Sequence, residues 1–201
     1  MKRIAVLASG RGSNFQAILD RINDGYIKAE IVCLITDKPG AYSIKRADKA
    51  GIAVRILDFD SFQSRDEYNE NLHETMMEIN PDLFVLAGYM RLLDPKTAKE
   101  FAGKMINIHP AILPAFTGLH AQKQAIDYGV KVAGCTVHFV DEGMDTGPII
   151  LQHVVPVFFE DDEESLTKRI LKEEHIALPN ALRLFCEDKI KISGRKVKIL
   201  D

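Results

Sequence analysis

Apolar runs alternate with amphipathic ones through the first hundred residues, and this alternation narrows the possible folds more than any other feature. Residues 3–8 are a short apolar run, and Gly10-Arg11-Gly12 follows at once. Phe15, Ile18, Leu19 and Ile22 then recur at helical spacing, with Ser13 or Asn14 placed to cap the helix and Asp24-Gly25 to stop it. Ala29 to Thr36 is apolar through its middle, which suits a strand buried on both faces. After the turn Asp37-Lys38-Pro39-Gly40, a helix is expected from about Ser43 to Ala50 and a third strand from Ala53 to Leu57. Ser61 to Glu78 reads as a long polar helix broken by Asn80-Pro81, and Leu83 to Ala87 as a fourth strand. Such repetition buries its apolar faces as a parallel sheet with helices on both sides.

Past residue 110 the pattern changes. His120 to Tyr128 reads as a helix ended by Gly129. Ala133 to Val140 and Ile149 to Phe158 read as two long strands joined by the Gly143–Pro148 loop, an antiparallel pair that extends the sheet. Ser165 to Phe185 is a helix with Pro179 as a kink point, and Lys189 to Leu200 a small terminal hairpin. The expected class is therefore α/β: a Rossmann-like doubly wound, mostly parallel sheet in the N-terminal half, extended by antiparallel strands in the C-terminal half. The 201 residues, 46% of them hydrophobic, suit a single domain over 1–201.

A net charge of -3 gives no reason to expect nucleic acid or an anionic membrane as partner. No apolar stretch is long enough to span a bilayer. Met1 to Ser9 imitates a signal peptide, but its apolar core is too short, so it reads as the first strand. Cys33, Cys135 and Cys186 are odd in number and far apart, which fits core residues in a reducing cytoplasm.

Right-handed crossovers place ligands at the carboxyl ends of the strands. Three polar stretches are expected there: Gly10 to Asn14, Gly88 to Leu93, and Asn107 to His109. The first sits between a strand and a helix, where backbone N–H groups meet an anion. A phosphate monoester suits Gly12, Ser13 and Asn14, although a plain tight turn has the same composition. A dinucleotide fits less well, because Phe15 stands where G-x-G-x-x-G requires glycine or alanine. That break also removes the reason to read Asp37 as a ribose contact. Asn107 and His109 lie two apart in a strand, so they share a face. An amide donor and an imidazole there, with Asp145 brought in from a distant loop, can stabilise an oxyanion and move a proton. The carboxylate is expected to raise the imidazole pKa. No metal is expected, since His109, His120 and His138 lack the i, i+4 spacing of a helical zinc site.

Asn107-Ile-His109-Pro110, Leu113-Pro114 with Gly118-Leu119-His120, and Asp141 to Pro148 together resemble the folate-dependent formyltransferases, and the resemblance reaches from Ser9 to His175. Ser13-Asn14 and Gly118-Leu119-His120 resemble the branch that serves purine synthesis. That resemblance implies transfer of a formyl group from 10-formyltetrahydrofolate to the amine of 5-phosphoribosylglycinamide. It implies Asn107, His109 and Asp145 as the catalytic set, and Gly12, Ser13 and Asn14 around the substrate phosphate. It implies Glu174 on the ribose, and Arg65, Met90, Arg91, Leu92, Leu93, Asn107, Val140 and Asp141 on the folate. Residues 1–100 would then form a phosphate-binding half and 101–201 a catalytic and folate-binding half. A monomer or homodimer would work on small molecules alone. Leu92 and Leu93 also suit a plain core, and Arg65 a solvated helix face. Ala111 and Thr117 depart from the commoner family residues, but neither position supplies a catalytic group. A deformylase would share Asn107, His109 and Asp145, usually with His-His where this chain has His109-Pro110. A tRNA formyltransferase would need a basic RNA-binding extension. A binding protein without catalysis would have no need of the intact set.

Overall fold

The computed structural model describes residues 1–200. A seven-stranded sheet runs through the molecule in the order β3-β2-β1-β4-β5-β6-β7. Its strands are β1 (Lys2–Leu7), β2 (Ala29–Thr36), β3 (Val54–Ile56), β4 (Leu83–Leu86), β5 (Met105–His109), β6 (Val132–Phe139) and β7 (Ile149–Pro156). The first five are mutually parallel, β6 runs antiparallel to β5, and β7 antiparallel to β6. The expected class is observed. A separate hairpin, β8 (Ile190–Ser193) and β9 (Lys196–Ile199), closes the described chain.

The helices are α1 (Ser13–Asn23), α2 (Tyr42–Ala50), α3 (Arg65–Ile79), α4 (Pro95–Glu100), α5 (Ala121–Tyr128) and α6 (Glu163–Cys186). Alternation along the strands divides the core between the two faces of the sheet. Ile4, Val6, Leu83, Val85 and Ile106 pack with Phe15 and Ile18 of α1 and with Ile170 and Leu178 of α6. Ala5, Leu7, Phe84, Leu86 and Met105 pack on the other face with Tyr68, Leu72 and Met76 of α3. Phe15 and Ile18 are fully buried, and each such side chain contributes roughly 1.5–3 kcal/mol.

Several local expectations shift. The long polar helix begins at Arg65 rather than Ser61, because Ser64 accepts from Glu67 N while Glu67 accepts from Gln63 N. A short 3-10 turn, Phe59–Ser61, takes the preceding residues. Helix α4 was not anticipated, although Asp94 caps it and Pro95 opens it, a recognisable start. Neither Ser13 nor Asn14 caps α1. Gly12 takes that place in the left-handed conformation, with no side-chain cap. Helix α6 continues through Pro179, which leaves the carbonyl of His175 without its helical donor. Among the described residues, no helix is long and apolar enough to cross a membrane.

The chain turns from β1 to β2 and β3 on one side and then to β4 on the other, so the loops after β1 and β4 diverge. Ser9 N donates to the carbonyl of Gly88 at 3.1 Å, and Met90 N to the Ser9 hydroxyl at 2.9 Å. These bonds join the phosphate-type loop to the segment expected to hold folate.

Candidate active site

β5 carries two apolar side chains into opposite cores before it turns polar. Met105 faces the α3 side and Ile106 the α1 side. Asn107 and His109 therefore emerge on the face of Met105. The facing strand β6 puts His138 opposite Asn107 and Thr136 opposite His109. Asp145 comes from the β6–β7 loop at φ 55°, a left-handed conformation uncommon for a residue with a side chain.

These side chains meet. One oxygen of Asp145 lies 3.3 Å from His109 Nδ1 and accepts from Gly118 N at 2.8 Å. Its other oxygen accepts from Asn107 Nδ2 at 3.4 Å and lies 3.6 Å from His138 Nε2. Asn107 Nδ2 also faces His138 Nε2 at 3.2 Å, and His138 Nδ1 is bonded to the carbonyl of Phe139 at 2.8 Å. His109 Nε2 reaches the carbonyl of Phe116 at 2.8 Å. Phe116 itself sits at φ 54°, and this twist turns its carbonyl towards the imidazole.

The loop between β5 and α5 is pinned from below. The hydroxyl of Thr136 donates to the carbonyl of Ala111 and accepts from Leu113 N, and Gln152 Nε2 bonds both that hydroxyl and the carbonyl of Leu113. Gly118, at φ 78°, passes so close to Met144 that an added Cβ would stand 2.9 Å from its sulfur.

Charge in the site is set by opposed causes. Burial pushes the His109 pKa down, and it prevails over the Phe116 carbonyl and the Asp145 carboxylate, which pull it up. This reverses the direction expected from the sequence: Asp145 acts in the expected sense, but His109 is only 4% exposed and desolvation of its cation dominates. Burial also works to raise the Asp145 pKa, yet contacts with His138, Gly118 N–H and His109 hold it below the ordinary carboxylate range. Asp145 is thus an anion beside a predominantly neutral imidazole near pH 7.

At the phosphate-type loop, Gly12 stands at φ 65°, where an added Cβ would meet Ser43 Cβ at 2.8 Å. The first bond of α1 runs from Gln16 N to the carbonyl of Gly12, leaving the N–H groups of Ser13, Asn14 and Phe15 for a ligand. Asn14 Nδ2 donates to Glu174 Oε2 at 2.7 Å, which brings α1 and α6 together at the loop. Glu174 is 7% exposed, and burial raises its pKa against the pull of Asn14.

The expected folate residues divide. Leu93 is buried in the α3-side core, whereas Met90 and Leu92 are exposed apolar side chains. Arg91 donates from Nε to Asp37 at 2.9 Å and stacks on Phe59 with its guanidinium 3.6 Å from the ring centroid. Val140 packs against the α3-side core, with its N–H on the carbonyl of Met105. Asp141 holds its own loop through Gly143 N and the Thr146 hydroxyl. Arg65 is exposed at the start of α3, one turn before Tyr68. Among the described residues, no hydrogen bond or ion pair joins it to the other folate candidates, and no group of three or more His, Cys, Asp or Glu is placed to hold a metal.

Sequence reasoning considered His138 only as a metal ligand, passed over Phe116, and used Gly118 as part of a motif without foreseeing its bond to Asp145. The signal for His138 was present: Thr136 and His138 repeat, two apart on β6, the spacing of Asn107 and His109 on β5. No sequence signal marked the carbonyl of Phe116.

Comparisons with known proteins place the chain in a family. The family model described as "Formyl transferase" matches residues 2–182. The trifunctional purine biosynthetic protein adenosine-3 of Drosophila melanogaster is 47% identical over 194 residues, which cover 96% of this chain and 14% of that protein's length. Phosphoribosylglycinamide formyltransferase of Escherichia coli (strain K12) is 40% identical over 189 residues, covering 94% of this chain and 89% of the relative. Glycinamide ribonucleotide transformylase 1 from Symbiobacterium toebii superimposes with a TM-score of 0.95 at 49% identity, covering 100% of this chain and 95% of that one. The chain belongs to the formyl transferase family.

Proposed function

We propose that this chain transfers the formyl group of 10-formyltetrahydrofolate to the amine of 5-phosphoribosylglycinamide, a step of purine (IMP) biosynthesis. The observation that carries the reading is the meeting of Asn107, His109 and Asp145 at the end of β5, next to β4, whose following loop is hydrogen-bonded to Ser9 in the loop that leads into the uncapped α1. The names of the relatives point the same way.

The substrate phosphate binds at the free amides of Ser13 and Asn14, with Gly12 allowing close approach and Glu174 on the ribose. The folate lies along Met90 to Leu93, its apolar portion on Met90 and Leu92, with Arg65 and Arg91 towards its acidic tail. Asn107, Val140 and Asp141 enclose the pterin end. The two halves of the chain, 1–100 and 101–201, thus supply phosphate binding on one side and catalysis with folate binding on the other, within one domain. The substrates are small molecules, as expected of a cytoplasmic enzyme with no nucleic-acid or membrane partner. Monomer and homodimer both suit such a reaction.

The uncharged amine attacks the formyl carbon, and a C–N bond forms as the carbonyl electrons move to oxygen. The oxyanion takes a hydrogen bond from Asn107 Nδ2, which turns from its resting contacts with His138 and Asp145. His109 releases the carbonyl of Phe116 and stands at the reacting nitrogens. With its ring proton on Nδ1, towards Asp145, the freed Nε2 takes a proton from the attacking amine; the Asp145 carboxylate favours the resulting imidazolium while burial disfavours it, so the proton is readily passed on. It goes to the folate nitrogen as the C–N bond to folate breaks. No acyl-enzyme is needed.

The test is folate product formation with and without 5-phosphoribosylglycinamide. Product that depends on the ribonucleotide supports the reading. Equal release without it would make water the acceptor and the chain a deformylase.

A further inference from the structure

A cavity of about 390 Å³ runs along α1, lined by Ser13, Gln16, Asp20, Arg46 and His175 among others. Its upper end adjoins the uncapped first turn of α1. Arg46, from α2, donates through Nε to the carbonyl of Arg11 at 3.0 Å and through Nη1 to Gln16 Oε1 at 2.7 Å. Its Cδ would stand 3.5 Å from a Cβ at Gly12, so its stem lies against the loop. Neither acceptor is charged. Arg21, Arg55, Arg91, Arg169 and Arg183 each have a carboxylate partner. Arg46 has none among the described residues, although it is half-buried, and its Nη2 has no hydrogen-bond partner there.

Two further groups at this place lack partners. Asn14, 7% exposed in the first turn of α1, keeps its buried Oδ1 unpaired, an acceptor that suits a hydroxyl of the ligand rather than its anionic group. His175 Nε2 is buried and unpaired at the cavity wall. Burial and then the charge of Arg46 hold the His175 pKa below its usual value, with Asp20 pulling the other way. A half-buried cation without a counter-charge, beside a helix start whose amides are free, suits an anion that takes several hydrogen bonds at once.

We propose that Arg46 is a binding residue for the substrate phosphate: its free Nη2 meets the phosphate directly, while Nε, through the carbonyl of Arg11, holds the loop that presents the amides. Arg46 thereby selects a phosphorylated riboside over an unphosphorylated one. This rests on the ribonucleotide reading given above.

The test compares Arg46→Gln and Arg46→Lys with the unaltered protein. In Arg46→Gln, KM for 5-phosphoribosylglycinamide should rise roughly 10- to 100-fold, the loss expected for one charge-assisted hydrogen bond, while kcat and the folate KM hold. The unphosphorylated riboside should be used with the same kcat/KM by both proteins, and Arg46→Lys should recover part of the loss. An unchanged ribonucleotide KM would overturn the proposal, as would an equal loss with the riboside, which would mean that Arg46 merely supports the fold. Inorganic phosphate binding by calorimetry gives a readout independent of turnover: weaker binding in Arg46→Gln supports the proposal, and equal binding refutes it. Absence of ribonucleotide-dependent product with the unaltered protein would instead refute the underlying reading.

Discussion

Replacing Asp145 with Asn tests the site most directly, because that one carboxylate faces both histidines, the Asn107 amide and the Gly118 N–H. Its oxygens face His109 Nδ1 at 3.3 Å, Gly118 N at 2.8 Å, Asn107 Nδ2 at 3.4 Å and His138 Nε2 at 3.6 Å. The introduced amide has one oxygen and one NH2. If its oxygen keeps Gly118 N and His109, its NH2 meets the NH2 of Asn107, donor against donor. The fold should survive, since the substitution is isosteric and the Gly118 bond can persist. The side chains of His109 and Asp145 are only 6% and 13% exposed, so solvent screens the lost charge weakly. Loss of one charge-assisted contact is worth about 1.5–3 kcal/mol, which corresponds to a fall of roughly 10- to 150-fold in kcat. The direction in pH also follows. Asp145 pulls the His109 pKa up, so without it that pKa falls further below its usual value. If His109 must be neutral to take the amine proton, activity is lost as pH falls through its pKa. That acid limb should therefore move to lower pH in Asp145→Asn. The assay is a kcat–pH profile of folate product formation for both proteins. An acid limb that stays in place, or moves to higher pH, would show that Asp145 does not tune His109.

His109→Ala should lower kcat by 10³-fold or more, on the order of 4 kcal/mol, while leaving folate affinity by fluorescence titration nearly unchanged; near-normal turnover would remove His109 from the chemistry. Glu174→Gln should raise ribonucleotide KM yet stabilise the protein. Burial raises the Glu174 pKa above its unfolded value, so its ionisation opposes folding at neutral pH, and this penalty fades as pH falls through the raised pKa. Relief of this penalty should raise Tm at pH 7.5 and by less in acid, each kcal/mol gained appearing as roughly 2–4 °C in calorimetry; a lower Tm at pH 7.5 would refute the sign. Thr136→Val keeps shape but leaves the carbonyl of Ala111 and the N–H of Leu113 without their partner. It should cost about 1–3 kcal/mol in urea unfolding, and an unchanged midpoint would show that the β5–α5 loop is held by other means.

The fold was legible because its signals are local and agree with one another. Ile31 to Ile35 and Leu83 to Leu86 are apolar on both faces, as only strands inside a covered sheet need to be, and they lie in β2 and β4. Boundaries were less legible where capping decides them. Ser61 and Ser64 both suit a cap, and only the bonds from Glu67 N to the Ser64 hydroxyl and from Gln63 N to the Glu67 carboxylate settle the start of α3. At α1 the residues best suited to cap, Ser13 and Asn14, lie inside the first turn, and Gly12 precedes them in a conformation that leaves the amides open. A cap satisfied by its own side chain would compete with a ligand for the same N–H groups. The departure from the propensity rule thus falls where an anion is proposed to bind.

The meeting of Asn107, His109 and Asp145 was legible, but the balance of charge among them was not. Shared-face spacing put Asn107 with His109, and a distant carboxylate completed the set. Spacing carries no information on depth, and depth decides the sign at His109. A carboxylate at 3.3 Å would raise an exposed imidazole, yet at 4% exposure the cost of holding a cation outweighs it. The same burial makes the carbonyl of Phe116 important, because a backbone group twisted to φ 54° by its own loop becomes the partner of the imidazole. That contact occupies Nε2 before substrate arrives, and Asp145 holds Gly118 two residues further on. The β5–α5 loop is thus fastened to both the imidazole and the carboxylate that tunes it. In the proposed reaction the substrate must displace the carbonyl of Phe116 to reach Nε2, and the Gly118 bond would keep Asp145 in place while it does so.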